Sequence, residues 1–233
     1  MLMADWISFW NGSHAIYVND RHKAVHYAAI AADLVGFVPG PHARVLDFGC
    51  GEALASAELA FRCGRLVLSD AAPAVRNRLK GRFVAAPAID VMSPEEVSAL
   101  PDGSFDLIIC NSVAQYLSRD LLASLVREWR RLLAPGGRLL LADVIPPHVS
   151  ALADAEALLR LAAREKFLLA AVAGLARTAI SPYRKLRAEL GLTTYEEAEI
   201  LDLLEDAGLA ARRVQPNIGH NQQRMAFIGE RGA

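Results

Sequence analysis

The sequence is short of cysteine and of basic charge, and each shortage excludes a class of protein. Its three cysteines, Cys50, Cys63 and Cys110, are odd in number and lack the paired spacing of a zinc site, so neither a disulfide scaffold nor a metal site is expected. A reduced, cytoplasmic protein is the simplest interpretation. The formal net charge of -1 leaves no general basic surface, so no nucleic-acid partner is expected.

Long apolar runs are missing as well. The chain has no stretch of 18 or more apolar residues, so no membrane span is predicted. The start of the chain, with Asp5 and no basic cluster, does not resemble a signal peptide. Hydrophobic residues nevertheless make up 53% of the sequence and charged residues 22%. This composition supports a full hydrophobic core and one large domain, or one domain with a sizeable insertion.

The chain is organised around the stretch VLDFGCGEALASAE, residues 45–58. Val45 and Leu46 end a short apolar run typical of a buried parallel strand, and Asp47 follows at its carboxyl end. Gly49 and Gly51 flank a tight turn that lets a ligand approach the backbone, and a helix predicted over residues 53–61 points its free N–H groups at the same crevice. Strand, glycine turn and helix N-terminus together predict a cofactor site.

Two features of this turn distinguish between cofactors. Leu54 stands where the dinucleotide fingerprint G-x-G-x-x-G/A needs a small residue. Asp47 and Glu52 add negative charge that repels a pyrophosphate and suits a ligand with an ammonium group. Here VLDFGCGEA resembles the first motif of the class I methyltransferases that use S-adenosylmethionine. A nicotinamide or flavin enzyme, or a strand–helix unit without a ligand, is the alternative.

Acidic residues follow two further predicted strands. Asp70 comes after a strand over residues 65–69, where a carboxylate can accept two hydrogen bonds from a ribose diol; a helix N-cap is the alternative. Asp90 and Val91 end a strand predicted over residues 83–89, and they offer an acceptor and an apolar contact to an adenine ring; a plain turn is the alternative.

The segment FDLIICN at residues 105–111 is nearly continuous in apolar residues, and it predicts a central parallel strand with Asn111 and Ser112 at its carboxyl end. It lacks the Asp/Asn-Pro-Pro-Tyr sequence of methyltransferases that act on the amino groups of nucleic-acid bases. Tyr116 follows one helical turn later, where it either reaches the cleft or is a buried structural tyrosine. A helix over residues 119–134 and a strand over 138–143, joined by Pro-Gly-Gly, look like the helix-to-strand hairpin of the same family.

The resemblance implies the fold and its division. It implies an α/β protein, a three-layer α/β/α sandwich whose seven-stranded sheet is mostly parallel with the last strand antiparallel. Residues 43–147 and 193–233 would form the cofactor-binding domain, and residues 210–215 and 224–229 would be its final strands. A helix capped at Thr193 or Thr194 would precede them. Residues 1–42 would form a helical N-terminal lid, and residues 148–192 a helical insertion over the acceptor site.

The resemblance also implies the cofactor, S-adenosylmethionine, and its product, S-adenosylhomocysteine. Residues expected to bind it are the turn residues Asp47, Gly49, Cys50 and Gly51 at the methionine part, Asp70 with Ala71 at the ribose, Asp90 and Val91 at the adenine, Asn111 with Ser112 at the amino group, and Tyr17 at the carboxylate. The acidic groups among them, with Glu52, would favour the positively charged donor over the product.

The acceptor is predicted from the two variable segments, which are aromatic and apolar. Residues 155–180, rich in alanine and leucine with Phe167 on a wide apolar face, would cover the pocket; a dimer or core-covering helix and a membrane-surface helix are the alternatives. A basic cluster around residues 183–187 either holds an anionic substrate group or is solvated. We therefore expect a small, partly hydrophobic acceptor and a possible homodimer, and the resemblance implies that the acceptor is methylated on oxygen or nitrogen.

Three side chains are candidates for catalysis: Tyr116, His148 after the predicted fifth strand, and His220 before the last strand. For both histidines a hydrogen-bonding loop role is the alternative. His22 and His26, four residues apart, lack an evident third metal ligand and are better explained as solvated or substrate-facing. Rival functions are a methyltransferase acting on protein or tRNA, a non-enzymatic module that binds the donor, and a nicotinamide-dependent oxidoreductase.

Overall fold

Seven strands form one mixed sheet in the computed structural model, which describes residues 2–12, 20–54, 56–149, 151–178 and 191–233. The strands run in the order β3-β2-β1-β4-β5-β7-β6, and β7 lies antiparallel to both of its neighbours while the other pairings are parallel. Their bounds are β1 Arg44–Phe48, β2 Arg65–Ser69, β3 Ile89–Met92, β4 Phe105–Asn111, β5 Leu133–Val144, β6 Leu209–Val214 and β7 Met225–Arg231. The predicted α/β fold with an antiparallel last strand is confirmed.

Helices cover both faces of the sheet. They are α1 Leu2–Asn11, α2 Asp20–Val35, α3 Ser56–Arg62, α4 Pro73–Arg82, α5 Pro94–Ser98, α6 Arg119–Leu132, α7 Ala151–Arg164, α8 Leu168–Thr178 and α9 Glu197–Asp206, with a 3₁₀ turn at Ala114–Tyr116. The capping box at Ser93 and Glu96 starts α5, and the Ser118 side chain accepts a hydrogen bond from the Leu121 N–H at the start of α6. In the part of the chain that is described, every helix falls short of a membrane span.

The sheet divides the hydrophobic core into two layers because successive strand residues point to opposite faces. In β4, Ile108 packs into the layer beneath α6 and α9, whereas its neighbours Leu107 and Ile109 pack into the layer beneath α2, α3 and α4. All three are at most 1% exposed, so the continuous apolar run of β4 reflects burial on both faces. Trp129 of α6 is the largest fully buried side chain of the first layer.

Four predicted element starts differ from the structure by three or more residues. Strand β5 begins at Leu133 instead of residue 138, and the other three differ for a local reason. Helix α3 begins at Ser56 instead of residue 53, because Ala53 adopts a φ of 46° and extends the glycine turn. Strand β3 begins at Ile89 instead of residue 83, because residues 83–88 form tight turns closed by backbone hydrogen bonds. Helix α9 is capped by Glu196, whereas the Thr193 N–H and hydroxyl donate to the carbonyl groups of Gln115 and Leu117.

The N-terminal and post-β5 segments meet beside the sheet. Arg21 of α2 donates to the backbone carbonyl of Glu165 at 2.9 Å, and the ring of His22 stacks on Phe167 with centroids 5.3 Å apart. The insertion is folded as two helices, α7 and α8, with Phe167 buried at the corner between them. The basic cluster around residues 183–187 and Tyr17 lie outside the described residues, and the division into a domain and two covering segments stays a prediction.

Candidate functional site

A cavity of about 510 Å³ opens at the carboxyl edge of the sheet, a volume typical of small-molecule sites. It brings together nine of the residues singled out from the sequence. These are Gly49, Cys50, Gly51, Asp70, Ala71, Asn111 and Ser112 among the expected cofactor residues, and Tyr116 and His220 among the catalytic candidates. Asp47, Asp90, Val91 and His148 do not line it.

The glycine turn is held by the neighbouring strand. The N–H groups of Gly49 and Cys50 both donate to the Ser69 carbonyl oxygen, at 2.8 and 3.1 Å. Gly49 has a φ of 74°, and a Cβ atom there would lie 2.3 Å from a methyl group of Val113, so both conformation and packing require glycine. A Cβ atom on Gly51 would lie 3.5 Å from the hydroxyl oxygen of Tyr27 in α2. The turn therefore presents bare backbone to the cavity.

Asp70 faces the cavity from the end of β2, and backbone hydrogen bonds fix its carboxylate. Its two oxygens accept from the N–H groups of Gly51 at 3.0 Å and Ala72 at 2.8 Å. Burial raises the pKa of Asp70, and these two hydrogen bonds together with the nearby arginines counteract the rise. Each carboxylate oxygen can accept a second hydrogen bond, so the group can still receive a ligand hydroxyl.

The other two acidic residues predicted at the cofactor lie elsewhere. Burial, together with the neighbouring charge of Asp70, raises the pKa of Asp47 to about 7. Asp90 pairs in register with Val67, two residues before β3 ends, and its carboxylate contacts Arg65 at 2.5 Å. Because β3 begins later than predicted, Asp90 stays short of the carboxyl edge. Pro94 lines the cavity near this edge instead.

Two buried acceptor atoms lie in the cavity wall beyond β4. The side-chain oxygens of Asn111 and Gln115 are buried and have no hydrogen-bond partner among the described residues. The Gln115 amide nitrogen donates to the Ser112 carbonyl oxygen at 2.8 Å, which orients the side chain. An unsatisfied buried acceptor costs free energy, so these two oxygens are suited to a ligand that supplies N–H donors.

A strained polar link joins β4 to β5, and the sequence analysis missed it. Ser112 and Asp143 are non-glycine residues with φ values of 60° and 57°, and the register of β5 against β7 shifts at this point. The Ser112 hydroxyl donates to Asp143 Oδ2 at 2.7 Å, and an Arg224 nitrogen lies 3.6 Å from the same oxygen. Such strain is concentrated at functional sites. The rule that found Asp70, a carboxylate at a strand end, also applies to Asp143.

Aromatic rings form the wall above the 3₁₀ turn. Trp6 and Trp10 of α1 lie 4.7 and 5.7 Å from the Tyr116 ring, measured between centroids. All three line the cavity, although Trp6 itself is only 3% exposed. These tilted and edge-to-face contacts are the ones that aromatic pairs prefer. The rings give the cavity a wide apolar surface, which suits a flat apolar ligand.

Three histidines meet on the other side of the cavity. The ring of His26 lies 6.2 Å from His22 and 5.8 Å from His220, measured between centroids. Burial, followed by the charge of His220, lowers the pKa of His22 to about 4, and the same effects with His22 added lower that of His26 to about 3. His22 is 6% exposed, so it is not a solvated residue. Among the described residues no cluster of three or more His, Cys, Asp or Glu side chains is arranged to hold a metal.

His148 lies apart from this group. It is exposed in the turn that follows β5 and does not line the cavity. The sequence predicted both His148 and His220 near the cleft, because His148 follows the fifth strand and His220 precedes the last one. Position along the chain did not reveal that only the β6–β7 loop folds back over the site.

In sequence, part of this chain is similar to known methyltransferases. A family described as "Methyltransferase domain" matches residues 46–141. A ubiquinone biosynthesis O-methyltransferase of Xanthomonas oryzae is 34% identical over 122 residues, which are 51% of this chain and 47% of that protein. An uncharacterized methyltransferase of Mycobacterium bovis is 32% identical over 129 residues, covering 54% of this chain and 61% of that one. The chain thus spans about half the length of the first of these relatives.

Solved structures share the fold at low sequence identity. Magnesium protoporphyrin IX methyltransferase from Synechocystis, solved with bound SAM, has a TM-score of 0.58 at 17% identity and covers 97% of this chain and 89% of its own. A SAM-dependent methyltransferase from Leishmania major has a TM-score of 0.61 at 12% identity and covers 98% of this chain and 82% of its own. At this identity the likeness concerns the fold alone.

Proposed function

Because the chain carries a class I S-adenosylmethionine-dependent methyltransferase domain, we propose that it transfers the donor's methyl group to an oxygen or nitrogen atom of a small, partly hydrophobic molecule. One observation carries the proposal. A single cavity joins the glycine turn and Asp70 to the aromatic wall of Trp6, Trp10 and Tyr116. One end therefore suits an adenosyl group and the other a flat apolar acceptor.

The donor end uses groups that the structure holds in place. Asp70 would accept hydrogen bonds from the ribose hydroxyls, and the bare backbone at Gly49 and Gly51 would lie against the methionine part. The orphaned oxygens of Asn111 and Gln115 fit the donor's ammonium group, which supplies N–H donors. Apolar cavity residues next to Asp70 would take the adenine ring in place of Asp90 and Val91; they are Ala71, Ala72, Val75 and Pro94.

The bound sulfonium supplies an activated methyl group, so the first task of this chain's residues is to align the acceptor and exclude water. Alignment of two reactants in a closed site contributes on the order of 7–11 kcal/mol. Trp10 and Tyr116 would hold the flat part of the acceptor against the 3₁₀ turn. A hydroxyl acceptor must lose its proton, and an imidazole nitrogen of His220 is the proposed proton acceptor. His22 and His26 remain neutral beside it because their pKa values are low.

Oxygen is the favoured acceptor atom. The named activity among the relatives reported above is that of an O-methyltransferase. A histidine base also has a purpose with a hydroxyl acceptor, because the hydroxyl still holds its proton when attack begins. Methyl transfer to protein or tRNA, donor binding without turnover and nicotinamide chemistry remain the rival outcomes of the experiment below.

The first experiment measures donor binding by calorimetry in three proteins. The wild-type chain should bind both S-adenosylmethionine and S-adenosylhomocysteine, and Asp70→Asn should weaken both by about tenfold or more, because the ribose is common to them. Asp106→Asn is the matched control, since Asp106 pairs with Arg44 at 2.8 Å and does not line the cavity. Its donor affinity should stay within about twofold of wild type.

Turnover is then measured as release of S-adenosylhomocysteine with a panel of small hydroxyaromatic compounds, with a basic peptide and tRNA in parallel. Release with at least one small compound supports the proposal. Release only with the peptide or tRNA would favour the macromolecular rival, and donor binding without any release would favour the non-enzymatic module. Binding of a nicotinamide dinucleotide without binding of the methyl donor would overturn the proposal altogether.

A further inference from the structure

A second cavity, of about 290 Å³, lies behind the loop that carries His220. It shares Gly219, His220 and Asn221 with the first cavity, so these three residues border both spaces. Its remaining lining comes from one face of α7 and from the same loop: Glu156, Ala157, Arg160, Leu161, Arg164, Gln222 and Gln223.

The α7 face of the second cavity carries an excess of positive charge. Arg160 and Arg164 are one helical turn apart, and Glu156, one turn before, forms an ion pair with Arg160. No ion pair with Arg164 is found among the described residues. One guanidinium is therefore compensated and the other is available, with several N–H donors arranged to bind a carboxylate or phosphate through two parallel hydrogen bonds.

The first cavity presents carboxylates to an anion as well as an arginine. Its arginine, Arg224, lies beside the carboxylate of Asp143, and Asp70 adds a further negative charge. An anionic substituent in that space would therefore share it with two carboxylates. The wall of the second cavity is also well ordered by hydrogen bonds, because the Gln222 side chain bonds to the backbone of Asn217 and Gly219.

We propose that the second cavity binds an anionic group of the acceptor, a carboxylate or phosphate, with Arg164 as its partner. The acceptor is then an elongated molecule: its hydroxyl-bearing ring lies in the first cavity beside His220, and its anionic end extends past Asn221 to α7. This inference rests on the proposed function, because it assigns the substrate class of the same site. Gly219, His220 and Asn221 line both spaces, so the two cavities adjoin, and one molecule that occupied both would contact His220 and Arg164.

The experiment uses the full chain saturated with S-adenosylhomocysteine. Binding of 4-hydroxycinnamate and 3,4-dihydroxycinnamate is compared by calorimetry with that of their uncharged methyl esters, and 4-hydroxyphenethyl phosphate is compared with its parent alcohol. At low ionic strength, we expect at least one acid or phosphate to bind about five- to twentyfold more tightly than its neutral counterpart. The carboxylate and phosphate arms show which anion the site prefers.

Three variants assign the preference to Arg164. Arg164→Gln should remove the preference for the anion, and Arg164→Lys should retain part of it. Arg127→Gln is the control and should leave the preference unchanged, because Arg127 is an exposed helix residue that lines neither cavity. The inference is overturned if wild type shows no such preference, including the case in which no probe binds, or if Arg164→Gln retains it. If S-adenosylhomocysteine itself fails to bind, the proposed function has failed; if it binds and the anion preference is absent, only this inference has.

Discussion

At the residue scale, the carboxylates of Asp70 and Asp90 differ in what they contact. The side chain of Asp70, directly after β2, faces the cavity, whereas that of Asp90 contacts Arg65. Asp90 lies inside β3, which starts at Ile89 after the turns at residues 83–88. The register of β3 against β2 therefore keeps Asp90 short of the carboxyl edge where Asp70 lies.

At the residue scale, Asp47 makes a stability prediction with a definite pH dependence. An unfolded aspartate ionises near pH 3.8, but in the folded protein Asp47 keeps its proton to about pH 7. Raising the pH between these values therefore favours the unfolded chain. Asp47→Asn removes the ionisable group, so its Tm minus that of wild type should grow as the pH rises from about 4 to 7 and stay constant above pH 7.

Thermal melts without ligand at several pH values check this prediction, and Asp106→Asn gives the opposite sign. The side-chain hydrogen bond from Arg44 lowers the pKa of Asp106, so the native ion pair stabilises the fold above the unfolded pKa and is lost as the pH falls. That variant should be less stable than wild type at neutral pH and similar to it in acid. A pH-independent Tm difference for Asp47→Asn would show that Asp47 ionises normally.

At the scale of elements, the regular parts of the sheet were the easiest to predict. Strands β2 and β4 have the predicted bounds residue for residue, because each is a nearly continuous apolar run between polar residues. The predicted start of α9 was wrong. Thr193 is a residue type that favours the N-cap position, but its hydroxyl donates to the carbonyl oxygen of Leu117 after the 3₁₀ turn, and Glu196 caps the helix. Local patterns thus predict the interior of elements better than the ends that touch distant segments.

Helix α1 gives a prediction that separates donor binding from acceptor binding. Trp10 lines the cavity and contacts Tyr116, whereas Phe9, next to it in α1, does not line the cavity. Trp10→Ala should therefore raise the KM for the acceptor about tenfold or more and leave the donor Kd within twofold, because an aromatic contact of 0.5–1.5 kcal/mol and its buried area are lost. Phe9→Ala is the packing control, because the Phe9 ring contacts Trp6 and Trp10 without lining the cavity, and it should raise the KM much less than Trp10→Ala does.

Steady-state kinetics and calorimetry on the two variants provide the measurement. A donor Kd that weakens together with the acceptor KM in Trp10→Ala would show that α1 supports the whole site. Equal effects of Trp10→Ala and Phe9→Ala would show a general loss of helix packing, and the aromatic wall would then have no specific role in acceptor binding.

At the scale of the whole molecule, the side of the cavity that we propose for the acceptor is built from segments that are distant in sequence. Asp33 of α2 accepts a hydrogen bond from the Gly219 N–H at 2.8 Å, and His26 lies beside His220. Arg21 and His22 join the same helix to the α7–α8 corner. The sequence indicated that these segments surround the acceptor, but helical periodicity carries no information about which distant helix faces which. The histidine group and the second cavity were therefore unpredictable.

This docking makes a prediction about local stability. Phe167 is 5% exposed and packs with Ala162 and Ala171, and its ring stacks on His22. Phe167→Ala should therefore speed amide hydrogen exchange in α7 and α8 by about tenfold or more, while peptides from β4 keep their rates, because the core of the sheet is a separate packing cluster. The donor Kd should stay within about twofold of wild type, since Phe167 does not line the first cavity.

Leu169→Ala on the same helix is the control, because Leu169 is 89% exposed and its truncation should leave exchange unchanged. Exchange is measured by mass spectrometry with and without S-adenosylhomocysteine, and the rates in α7 and α8 are compared with those in β4. If β4 peptides speed up together with α7 and α8, the insertion is an integral part of the core. If neither changes, the His22–Phe167 stack does not hold the insertion in place, and the acceptor side of the site must be secured by the β6–β7 loop alone.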